Sequence, residues 1–264
     1  MTDDGHYLII QVSQGTDRKN RVYYQDLTAT NAPVVRLLDE FDAAYHFVDN
    51  DGPVFWFHTD LLAPRGRVIA IDTRAPERAR WKELIPQARE TIQSVTAVGD
   101  RFFVGYLKDA QGQIKQFRLD GAFEREVALP GIGSVTGFGG KRGEDDTSYL
   151  FTSFTVPGRI YRYRVADQRA TLWREPKVAF DPEAYETRQC FCTSKDGTRV
   201  PLFITQRKNL RLDGRQPTLL YGYGGFNISI TPSFSAANQV WMERGGVYAV
   251  ANLRGGGEYG EDWH

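Results

Sequence analysis

The feature that most constrains this chain is a spacing. Four β-prone segments, Val22-Tyr23-Tyr24-Gln25-Asp26, Val68-Ile69-Ala70-Ile71-Asp72, Ile114-Lys115-Gln116-Phe117-Arg118 and Ile160-Tyr161-Arg162-Tyr163-Arg164, start at 22, 68, 114 and 160, an interval of 46 each time. A strand candidate precedes each: Tyr7 to Val12, Val54 to Phe57, Arg101 to Tyr106 and Tyr149 to Phe154. A shorter one follows each: Val34 to Leu38, Arg80 to Leu84, Glu124 to Leu129 and Ala170 to Trp173. Asp4-Gly5, Asp51-Gly52, Gly99-Asp100 and Gln111-Gly112 supply turns between them. Strand side chains alternate between faces, and Phe102, Val104 and Tyr106 keep that alternation. A unit of this length with up to four strands cannot bury its apolar face alone, whereas stacked copies can, which is the logic of a β-propeller. The spacing predicts about four blades over residues 1–180, the first entered part-way. An unclosed ring is expected to leave strand edges unpaired.

Asp181-Pro182-Glu183 reads as a linker into a second unit, residues 181–264. Glu186 to Thr193 and Thr198 to Thr205 form a hairpin pattern about Asp196-Gly197. Apolar strands at Thr218 and Val247, with a helical stretch from Ser235 to Arg244 between them, predict a parallel pair. Each ends in a glycine-rich loop, Tyr221-Gly222-Tyr223-Gly224-Gly225-Phe226 and Arg254-Gly255-Gly256-Gly257-Glu258-Tyr259-Gly260. Glycine at that point lets backbone N–H groups approach a ligand closely. The loop after the third strand of an α/β-hydrolase supplies part of an oxyanion hole in this way.

The segments YGYGGF and NLRGGGEYG resemble those of the prolyl oligopeptidase family of serine peptidases, and the similarity runs over the whole chain, which matches the middle of a longer polypeptide. The resemblance implies a seven-bladed propeller, present here in part, followed by the beginning of an α/β-hydrolase domain that stops before the catalytic serine. It implies a cytoplasmic enzyme, monomeric at full length, that cleaves short peptides after proline by acyl transfer while the propeller excludes folded proteins. No metal or organic cofactor is implied. Tyr223 takes the place of the tyrosine whose hydroxyl donates to the oxyanion, and Phe226 that of the phenylalanine lining the proline pocket. A phenol is a good neutral donor toward developing negative charge, and an aromatic wall suits a pyrrolidine ring. Arg254 enters as structural support, paired with a nearby carboxylate. The triad residues of the family fall after His264, so the chain reads as an internal fragment without peptidase activity of its own. Gly225 argues against the basic-specific oligopeptidase B group, which usually carries serine there.

Other chemistries are weaker. None of the serines, at 13, 94, 134, 148, 153, 194, 229, 233 and 235, sits in G-x-S-x-G. His6, His46 and His58 lie on blade segments and read as surface or strand residues. Gly255-x-Gly257-x-x-Gly260 fits a dinucleotide fingerprint, but a tight irregular loop or the hydrolase loop explains it as well. Cys190 and Cys192 share one strand face, read as buried structural thiols, and suggest a reducing compartment. Asn227-Ile228-Ser229 matches a glycosylation pattern with no secretory signal beside it. The 33 basic and 33 acidic residues balance to +0, which argues against a nucleic-acid partner. No apolar run reaches the roughly 20 residues that cross a bilayer. A non-catalytic propeller module that binds a peptide or protein remains the rival reading.

Overall fold

The computed structural model describes all 264 residues. Four sheets follow one another in chain order. The first holds β1 (Tyr7–Ser13), β2 (Asn20–Asp26) and β3 (Val34–Leu38). The second holds β4 (Tyr45–Asp51), β5 (Val54–Thr59), β6 (Arg67–Asp72) and β7 (Lys82–Ile85). The third holds β8 (Thr91–Val98), β9 (Arg101–Lys108), β10 (Gln111–Arg118) and β11 (Phe123–Val127). The fourth holds β12 (Ser134–Gly139), β13 (Asp146–Thr152), β14 (Arg159–Arg164) and β15 (Arg169–Arg174). Each is an antiparallel meander, and the four are successive propeller blades.

The core lies in the seams between blades. Val22, Tyr45, Phe55 and Phe57 join the first to the second. Trp56, Ile85, Phe102 and Tyr106 join the second to the third. Phe103, Phe138, Tyr149 and Tyr163 join the third to the fourth. Alternation makes this possible: Phe102 faces one seam and Phe103 the next, so one strand serves two cores. Polar contacts cross the seams too. Asn20 donates from Nδ2 to the Tyr45 carbonyl at 2.9 Å, and Thr96 Oγ1 donates to the Phe138 carbonyl at 2.7 Å.

The middle strands stand where the repeat puts them, but the innermost strands β4, β8 and β12 have no counterpart in the alternation pattern. Each carries one extra residue against its neighbour: Val48, Gln93 and Phe138. Such a bulge flips every later side chain to the other face, so the period of two breaks within the strand. Phe138 pays for its place with a left-handed backbone, φ 57°, while its ring stacks on Phe103 at 5.1 Å and Tyr149 at 4.7 Å. The turn expected at Gln111-Gly112 is at Asp109-Ala110, which takes left-handed φ values of 51° and 67°. The open ends of the arc also differ from expectation. They present apolar sheet faces rather than strand edges, with Leu8 and Val34 exposed on the first blade and Leu150 and Leu172 on the fourth.

The fifth sheet is built differently. β16 (Tyr185–Thr193) and β17 (Arg199–Arg207) form an antiparallel hairpin. β18 (Thr218–Tyr223), α1 (Ala236–Glu243) and β19 (Val247–Asn252) form a strand–helix–strand unit with β18 and β19 parallel. The spatial order is β16-β17-β19-β18, which leaves β18 as a free edge with Leu219, Leu220 and Tyr221 exposed. Tyr185, Phe203, Met242 and Tyr248 of this unit bury Ala110 and Phe154 of the blades. Cys190 is half-buried and Cys192 exposed, not buried as the sequence suggested, because β16 is the opposite edge strand and its last residues are open to solvent.

Candidate functional site

The parallel pair places the two glycine loops side by side. Tyr223 ends β18 opposite Asn252, which ends β19. The chains beyond then touch backbone to backbone: a Cβ on Gly224 would lie 2.1 Å from the Arg254 carbonyl oxygen, and one on Gly255 would lie 2.7 Å from that of Gly224. Asn227 donates its N–H to the Gly255 carbonyl at 3.0 Å, and Ile228 to that of Gly225 at 3.0 Å. This clamp holds Phe226 and Asn227 in left-handed backbone, φ 53° and 56°. The Phe226 ring is 85% exposed, an unusual position for a large apolar side chain on a strained backbone. Tyr223 is half-buried behind it, and its hydroxyl lies 3.4 Å from where a Cβ on Gly225 would stand. A Cβ at 225 would stand in van der Waals contact with that hydroxyl.

The group that ties these loops together was not singled out from the sequence. Glu258 is fully buried, and its Oε1 accepts the Ile230 N–H at 2.9 Å and an Asn252 side-chain N–H at 3.1 Å. Asn252 is also fully buried and bonds the Ile230 carbonyl. One carboxylate thus fixes the end of β19 and both loops. A lone acidic residue between glycines is the only signal that could have found it. Arg254, as expected, pairs with a carboxylate, that of Asp196 in the β16–β17 turn. The Thr198 N–H and then the Arg254 guanidinium hold Asp196 well below the usual carboxylate range.

Next to the loops a cavity of about 240 Å³ opens between them and the blades, lined by Arg18, His46, His58, Asp60, Asn227 and Glu261 among others. Arg18 bridges Asp60 at 3.6 Å and Glu261, so one guanidinium spans blade and loop. His46 and His58 face each other across β4 and β5 and stack with ring centroids 5.6 Å apart. Burial, followed by the neighbouring His46 and Arg18 charges, pushes His58 down to about 4, so it is neutral at physiological pH. The two histidines sit on strands as expected but also floor this cavity.

Two family models match parts of the chain. Residues 1–176 match the N-terminal β-propeller domain of prolyl oligopeptidase. The chain belongs to the prolyl oligopeptidase family. Residues 232–264 match the family's peptidase model. The prolyl endopeptidase of Elizabethkingia meningoseptica is 41% identical over 264 residues, which is all of this chain and 37% of that protein. A solved prolyl endopeptidase, studied for inter-domain dynamics in catalysis and specificity, superposes with a TM-score of 0.90 at 41% identity over 100% of this chain and 39% of its own. Prolyl oligopeptidase B of Galerina marginata, bound to a 35-residue hydrolysis and macrocyclization substrate, superposes with a TM-score of 0.90 at 28% identity, over 100% of this chain and 38% of its own. The chain therefore spans little more than a third of the relatives it matches. Its four blades are part of a propeller and its fifth sheet is the beginning of a hydrolase domain. No helix is long and apolar enough to cross a membrane.

Proposed function

We propose that this chain is the propeller-to-peptidase portion of a serine endopeptidase that cleaves short peptides on the carboxyl side of proline by acyl transfer. Residues 1–180 are the propeller part, which gates access, and residues 181–264 open the peptidase domain. The observation that carries the reading is Phe226, a ring 85% exposed on left-handed backbone beside Tyr223 at the end of a parallel strand. Strain of this kind gathers where a loop must present a group to a ligand. Tyr223 donates its hydroxyl to the oxyanion of the tetrahedral intermediate, together with a backbone N–H after the nucleophile. Phe226 forms a wall of the pocket for the substrate proline. The catalytic serine belongs to a further strand and turn beyond the free edge of β18. Two free cysteines fit a cytoplasmic location, and the full-length protein acts as a monomer.

Steady-state kinetics of the complete gene product on a short proline-containing peptide test this. Tyr223→Phe keeps the ring and removes one donor, which costs about 10²–10³ in kcat, with KM changed far less. Phe226→Ala instead raises KM for proline-containing substrates. A Tyr223→Phe enzyme within about twofold of wild-type kcat would leave Tyr223 a packing residue.

A further inference from the structure

We propose that a second cleft, on the seam between the blades and the β16–β17 hairpin, binds a peptide carboxylate. It measures about 380 Å³ and contains neither Tyr223 nor Phe226. Three arginines from three separate segments line it: Arg65 before β6, Arg89 before β8 and Arg199 at the start of β17. No carboxylate lies within ion-pair distance of any of them, whereas Arg18, Arg67 and Arg254 nearby are all paired.

Two of the three are held ready. Arg65 donates from Nε to the Tyr259 carbonyl at 3.2 Å and from a terminal nitrogen to the Arg89 carbonyl at 3.1 Å, which leaves its other donors free. Arg199 stacks over the Phe191 ring with its guanidinium carbon 4.3 Å from the centroid. Two carboxylates share the cleft, Asp109 and Asp262. Asp109 is engaged, accepting the Tyr259 hydroxyl at 2.8 Å. Burial and the Asp109 carboxylate push the Tyr259 hydroxyl up, and the charges of Arg89 and Arg199 oppose that rise. The walls are aromatic: Tyr259 meets Trp263 edge to face at 4.8 Å, and the Trp263 indole N–H is buried without an acceptor. Arginines lining a cleft with aromatic walls suit a carboxylate carried on an apolar chain better than a hydrated inorganic ion. Arg65 and Arg89 come from the blades and Arg199 from the fifth sheet, so the bound group would tie the two units together.

That the ligand is a peptide rests on the function proposed above. The carboxylate has two sources, an acidic side chain or the peptide's own C-terminus. Binding of fluorescent, proline-free peptides to the complete gene product separates them and involves no turnover, so its failure leaves proline-specific hydrolysis untouched. One peptide carries a single glutamate and an amidated end, the second has no acidic side chain but a free C-terminus, and the third is neutral and amidated. Saturable binding of either of the first two, without the third, supports the proposal and assigns the source. Arg199→Gln and Arg89→Gln should each weaken that binding roughly tenfold or more, while Arg188→Gln on the same hairpin leaves it unchanged. Circular dichroism melts of each variant establish that it is folded. Equal binding of the neutral peptide, wild-type affinity in folded Arg89 and Arg199 variants, or no saturable binding of either carboxylate-bearing peptide would each overturn it.

Discussion

The seams between blades and the paired glycine loops are both tightly packed, by opposite means. In the seam between the third and fourth blades the space is filled by large rings, with Phe103, Phe138 and Tyr149 stacked in series. At the loops the space is closed because side chains are missing, and Gly224 lets two backbones meet where a Cβ would come within 2.1 Å of an oxygen. A seam draws its strength from apolar area removed from water. The loops have little such area and depend on a few polar groups fixed at particular points. Damage to a seam should therefore lower the stability of the whole arc, and damage to the loops should show locally.

The largest effect expected is in the seam. Phe103→Ala empties a site that is 1% exposed and should cost about 3–5 kcal/mol, read as a lower melting temperature with all blades affected together. A change confined to residues 220–264 would contradict the contrast. Next comes the polar knot. Glu258→Ala strands the Ile230 N–H and the Asn252 side chain in a buried place, a loss of about 2–3 kcal/mol. Hydrogen exchange at the Ile230 amide should speed up while amides of β9 and β10 stay protected. Glu258→Gln keeps an acceptor and should lose less.

The same contrast explains what could be read before the structure was known. Blade order and the middle strands follow from side-chain periodicity, and Val22, Val68, Ile114 and Ile160 mark it in plain view. The innermost strands hid because bulges at Val48, Gln93 and Phe138 break the alternation. The glycine loops stood out by composition, and the family motif, not physics, singled out Tyr223 and Phe226. Glu258 was harder to find, since the groups it binds lie at Ile230 and at the end of β19, and the cavity over the His46–His58 pair exists only because the loops pack against the second blade.

A smaller effect should appear with pH at the cavity between the two regions. The His58 value of about 4 lies below its unfolded value of 6.5, so the unfolded chain binds a proton that the folded one refuses. That contribution to stability is complete above about 6.5 and is lost as the pH falls from there toward 4. The melting temperature should fall across this window, and His58→Gln should flatten the fall. An unchanged slope in the variant would mean that His58 is solvated in solution.

The smallest effect belongs to the residue that the family motif makes most conspicuous after the glycines. Arg254 belongs to the second glycine loop, yet its side chain leaves that loop and reaches the β16–β17 turn. Both it and Asp196 are 48% exposed, so water screens the pair and competes for each charge. Asp196 also keeps its Thr198 N–H partner when the arginine is gone. The loop itself stays clamped, because the contacts of Gly224, Asn227 and Glu258 use backbone or buried groups and none of them needs the Arg254 side chain. Arg254→Ala should therefore shift the melting temperature by no more than about 2 °C, with the shift shrinking further in high salt. A drop of the size expected for Glu258→Ala would mean that the guanidinium, rather than the buried carboxylate, sets the shape of the loop.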